Sequence, residues 1–164
     1  MNNDETVVAR ILEFLTGIGL QVKLGASSNG AFLPGIDIRN GVLTIDKSKL
    51  LYPGDLLHEA GHLALLPAAE RAQVNSDAGS DGGIEMAAIA WSYAAALHLG
   101  LPPEFVFHKD GYRGGSDSII ESFAAGRYFG VPILEWAGLT VTKERAQALR
   151  IEPYPSMLHW LRER

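Results

Sequence analysis

Cysteine is missing from all 164 residues. Its absence excludes a disulfide framework, a thiolate zinc site and a cysteine nucleophile, so any metal must be held by histidine and carboxylate. Concentrated positive charge is missing too. Lysine and arginine are scattered and the net charge is −5, which argues against direct nucleic-acid binding. No apolar run reaches the roughly 18 residues of a bilayer span. The most apolar stretch, 84–97, is interrupted by Glu85, Ser92 and Tyr93. At the N-terminus Asp4 and Glu5 stand where a secretion signal needs positive charge. The expectation is a cytoplasmic protein with no membrane partner, although a chain without cysteine is also compatible with export. With 47% hydrophobic and 20% charged residues, the chain suits one folded domain over residues 1–164.

Against that background one short segment stands out: Leu57-His58-Glu59-Ala60-Gly61-His62-Leu63. Histidines four apart on a helix share a face, one turn above the other, so both imidazoles can reach one metal ion. Glu59 projects about 100° around the axis from His58, close enough to act on a water held by that ion. The flanking Leu56, Leu57, Leu63, Leu65 and Leu66 make this helix largely apolar, which suggests a buried site.

The rest of the chain reads as follows. Asp4 caps a helix over 5–16, stopped by Gly17 and Gly19. Residues 20–24 form a short strand and 25–30 a loop. Asn40-Gly41 suits a two-residue type I′ turn. It sets Ile38 opposite Leu43, Ile36 opposite Ile45 and Asp37 opposite Thr44, with the apolar pairs on one face and the polar pair on the other. Pro53 and Asp55 open the motif helix, which runs to about Leu66 before Pro67. Residues 75–83 form a loop, 84–99 a central buried helix and 108–116 a Gly-rich loop. Ser116 caps a helix through Phe129, and further helices are predicted near 142–150 and 155–163. The fold class is α+β, a small antiparallel sheet packed on a helical bundle.

A catalytic zinc takes three protein ligands and one open position. Glu85, 23 residues after His62 at the start of the next helix, is the expected third. A carboxylate on so apolar an element is costly unless paired or coordinated. Asp77 and Asp81 are the next candidates. His98 lies about 20 Å along the helix from Glu85 and is a poor one, and His108 and His159 reach the site only through tertiary folding. Manganese or iron also suits two histidines and a carboxylate, but the helical pattern with its intervening glutamate favours zinc. For an oxyanion donor, Tyr112, His108 and Arg113 share the Gly-rich loop. An open edge of the 36–46 hairpin would offer backbone pairing to an extended peptide.

His58-Glu59-x-x-His62 followed by Glu85 resembles the gluzincin metallopeptidases, and most closely the small ImmA/IrrE-like zincins and minigluzincins. Gly61 matches their His-Glu-x-Gly-His form. Glu85-Met86-Ala87-Ala88 with Trp91-Ser92 looks like their third-ligand helix, and the strand pair before the motif fits their architecture. The likeness covers roughly residues 36–99. It implies a zincin-like fold with a zinc site of His58, His62 and Glu85. It also implies peptide hydrolysis with Glu59 as general base, and possible action on a transcriptional repressor. One position departs from the larger enzymes of the group: four residues after the third ligand stands Ile89, where they carry an acid. A zinc amidase, or a non-catalytic interaction module, are the alternative readings.

Overall fold

The computed structural model describes residues 3–28, 31, 33–76 and 81–164. Asp77, one of the alternative ligands, lies outside them.

Helix α1 (Asn3–Gly17) buries Val8, Ile11 and Leu15 along one stripe. A short strand β1 (Val22–Leu24) follows, then β2 (Ile36–Arg39) and β3 (Val42–Ile45). Between β2 and β3, Asn40 (φ 48°) and Gly41 (φ 73°) both adopt the left-handed conformation that a type I′ turn demands. The register is the expected one: Ile36 faces Ile45, Asp37 faces Thr44 and Ile38 faces Leu43.

The sheet itself is mixed rather than antiparallel. Strand β1 joins the far side of β3 in parallel, giving the order β1-β3-β2. Length and pattern allowed a strand near β1 but carried no information on its partner, which is β3. Nor is the hairpin half-buried. Its apolar face meets the core, while Asp37 and Thr44 on the other face are buried as well.

Helix α2 (Asp55–Ala64) carries the histidine motif and fully buries Leu56, Leu57, Ala60 and Leu63. Its first turn presses on the segment before the Gly-rich loop, where a Cβ on Gly54 would lie 1.9 Å from the Phe105 carbonyl oxygen. A one-turn helix α3 (Ala68–Arg71) was not anticipated. Helix α4 (Gly82–His98) begins where Asp81 Oδ1 accepts the Gly83 and Ile84 amides at 2.8 and 3.1 Å, an ordinary N-cap. Its alanines, with Trp91, form the centre of the core. It packs against α2 with a close approach at Gly61, where an added Cβ would sit 3.1 Å from the Ala88 carbonyl oxygen and 3.3 Å from the Trp91 ring.

The C-terminal third departs most from expectation. Helix α5 (Ser116–Ala124) stops five residues short of Phe129. Pro132 lies in the first turn of α6 (Val131–Trp136), where a missing amide costs nothing. Helix α7 (Lys143–Leu149) matches the expected 142–150. The helix expected at 155–163 is absent. There the backbone bonds elsewhere: the Trp91 indole N–H donates to the Trp160 carbonyl, the Arg162 amide to the Ala64 carbonyl, and Arg71 to the Arg162 carbonyl. Among the described residues no helix is long and apolar enough to cross a membrane.

Candidate metal centre

Helical spacing stacks the two motif histidines on the face of α2 that looks toward α4, and their Nε2 atoms lie 3.1 Å apart. The first turn of α4 brings Glu85 to them. Its Oε1 is 3.1 Å from His58 Nε2 and its Oε2 is 2.9 Å from His62 Nε2. One ligand atom from each of the three residues fits within a 4.8 Å span. The histidine side chains are 12% and 5% exposed and the glutamate 43%, so the cluster opens to solvent on the glutamate side. Hydrogen bonds from His58 and His62 outweigh burial and hold the Glu85 carboxyl well below the usual range, keeping it ionised. Two imidazole nitrogens and a carboxylate converging on one point form a donor set that a divalent cation satisfies together. Asp81 is spent as the α4 cap. His98 lies exposed between Phe14 and Trp160, and His159 is exposed on the C-terminal segment; neither is a ligand here.

Glu59 turns toward the sheet. With Leu33, Ile36, Asp37, Ile38 and Ser76 it lines a small cavity beside β2. The edge of β2 is not open along its length. The Ser76 amide donates to the Ile38 carbonyl at 2.7 Å, Gly41 to the Val74 carbonyl at 3.0 Å, and the Asn40 amide to Asn75 Oδ1 at 3.0 Å. The peptide track expected on that edge is therefore partly occupied by the chain's own 74–76 segment.

Of the three candidate donors on the Gly-rich loop, the fold brings Tyr112 to the cluster. Its ring meets His58 edge-on with centroids 5.4 Å apart. Its hydroxyl is buried with no hydrogen-bond partner among the described residues. Burial, reinforced by the negative charges of Asp55, Glu85 and Glu59, raises its pKa far above the tyrosine norm, so it remains a donor. Arg113 is exposed.

His108 is engaged elsewhere. Its Nε2 lies 2.9 Å from Asp55 Oδ1, and its ring stacks on Tyr52 at 3.8 Å. It is not among the clustered ligand atoms. Burial raises the Asp55 pKa, opposed by the hydrogen bond from His108. Asp55 is the residue that sequence reasoning undervalued. An acid suited to the helix dipole, it also sits three residues before His58 on the same helical face, a spacing that puts it next to the site.

The Nδ1 of His58 is buried without a partner among the described residues. Ile89 supplies no acid nearby; it is buried, and its carbonyl accepts the Ser92 hydroxyl at 2.9 Å. No family model, curated protein or solved structure matches this chain.

Proposed function

We propose that the chain is a zinc-dependent peptidase of the ImmA/IrrE-like zincin kind, binding the ion through His58, His62 and Glu85. The single observation that carries this reading is the convergence of those three side chains from two helices. When bound, zinc supplies a Lewis acid and an acidified water.

The chain's own residues do the rest. His58 and His62 would hold the ion through their Nε2 atoms, giving up the hydrogen bonds they make to Glu85, and Glu85, already ionised, adds the negative charge. Glu59 takes a proton from the attacking water and returns it to the leaving amine. Tyr112, protonated and without a hydrogen-bond partner among the described residues, donates to the carbonyl oxygen as negative charge develops on it. The apolar walls from Leu33, Ile36 and Ile38 limit water beside Glu59. The substrate is a peptide or protein, and a transcriptional repressor is the partner that the family resemblance suggests.

A zinc amidase acting on a small amide is the second reading. The small cavity beside Glu59 and the occupied edge of β2 favour it. Metal analysis of protein purified without added metal, together with hydrolysis assays on unfolded protein and on small amides, tests both. One zinc per chain is expected, and Glu59→Gln keeps the zinc while losing about 10³-fold or more in turnover. Glu59→Gln at wild-type rate ends the general-base assignment. No zinc in the purified protein, and none taken up on addition, ends the reading as a whole.

A further inference from the structure

The Tyr112 hydroxyl has no hydrogen-bond partner among the described residues, so its place beside His58 depends on the packing of its ring and on whatever holds its loop. That loop is held in an unfavourable shape. Tyr112 (φ 54°) and Arg113 (φ 52°) are both left-handed, a conformation that side-chain-bearing residues adopt only when their surroundings enforce it.

The enforcement converges on His108. Its Nε2 bonds Asp55 at 2.9 Å. One ring face lies on Tyr52 at an interplanar angle of 7°, and the Tyr52 hydroxyl reaches on to Asp110 at 2.6 Å. Gly111 packs so closely that an added Cβ would be 3.0 Å from His108 Cε1. The His108 carbonyl accepts the Ser116 hydroxyl at 2.6 Å and the Gly111 amide at 3.1 Å. Ser116 therefore ties the loop to itself instead of capping α5. Asp55, at the other end of the key bond, belongs to the first turn of α2, the rigid element that carries both histidine ligands. Buried carboxylates persist where they are paired, and this one is paired with a loop residue.

We propose that Asp55 and His108 are positioning residues, a hydrogen-bonded clamp that fastens the 107–115 loop to the metal-binding helix and fixes the Tyr112 hydroxyl beside His58. In its catalytic consequence this rests on the hydrolytic reading above. In its structural part it stands alone.

The experiment has two arms. In the first, peptide hydrolysis is measured for His108→Ala, Tyr112→Phe and the double variant. His108→Ala should lose about tenfold or more in kcat, with KM and zinc content within about twofold of wild type, and should lose less than about twofold further when Tyr112 is already Phe. Asp55→Asn, which still accepts from the imidazole, should restore most of what Asp55→Ala loses. Independent, multiplying losses from His108 and Tyr112 overturn the proposal. The second arm needs no activity: trypsin cleavage after the exposed Arg113 should quicken about tenfold in His108→Ala and Asp55→Ala but not in Asp55→Asn. Unchanged cleavage in the alanine variants overturns the clamp. Should the wild type hydrolyse nothing, the functional reading fails while the cleavage arm still decides the clamp. Should the alanine variants not fold, His108→Gln and Asp55→Asn take their place: His108→Gln, a poorer fit to the Tyr52 face, is expected to be cut faster than Asp55→Asn, and equal rates overturn the clamp.

Discussion

Glu85 sits where an isolated carboxylate would be expensive, and both of its oxygens are spent on histidine nitrogens. Its value to the site is charge as well as geometry: two neutral imidazoles alone would leave a divalent ion uncompensated. Glu85→Gln keeps the shape and removes the charge, so zinc affinity should fall by about 10²-fold with little loss of fold. Competition with a chromogenic chelator measures this. The meeting of His58 and His62 was legible in the sequence because helical spacing determines it, and Glu85 was legible because a carboxylate on so apolar a helix needs a partner. Tyr112 was legible only as one of three donors on its loop. The choice among them was made by the Asp55–His108 contact, 53 residues apart in sequence, which no local pattern encodes.

At the scale of elements, the close approach of α2 and α4 sets the ligand geometry. Gly61 is part of the motif as read in sequence, and its physical reason is the Ala88 carbonyl and the Trp91 ring against it. Gly61→Ala should push the helices apart, costing about 1–3 kcal/mol and weakening zinc binding in parallel, as urea unfolding and chelator competition would register. The hairpin was legible to the residue because its turn and its pleat agree. The partner of β1 was not, since a three-residue strand carries too little pattern. The 155–163 segment was misread because its composition permits a helix, while its backbone groups are claimed by α2, α4 and Arg71. Beneath the polar face of the hairpin, burial raises the Asp37 pKa, but hydrogen bonds from Arg39 and Ser28 outweigh it and hold it low. The Ser48 hydroxyl and the Ser27 amide lower Asp46 likewise. Groups with depressed folded pKa values stabilise above the unfolded carboxylate value, about pH 4, and lose that contribution as pH falls through the folded one. Asp55, raised by burial, works in the opposite sense. The thermal midpoint should therefore drop on acidification from about pH 5 to about pH 3, and Asp46→Asn should flatten that slope.

For the molecule as a whole, the brace behind α2 is Arg71. Its guanidinium donates to the carbonyls of Leu63, Leu66 and Arg162 at 2.9 Å each, tying the end of α2 to the C-terminal segment. Arg71→Ala leaves those carbonyls short of a charged donor. It should cost about 1–3 kcal/mol and expose 158–164 to proteolysis, read by denaturant titration and peptide mapping. The same segment places the Trp160 ring edge-on to Trp91, centroids 5.4 Å apart, while Trp136 is 71% exposed with the Arg162 guanidinium 4.3 Å from its ring centroid. The three indoles thus form two optical populations. Iodide should extinguish the light from Trp136 and spare the blue-shifted emission of Trp91, whose ring touches the very spot where α2 and α4 meet. The protein carries a native, label-free gauge of the contact between the two helices that bring His58, His62 and Glu85 together.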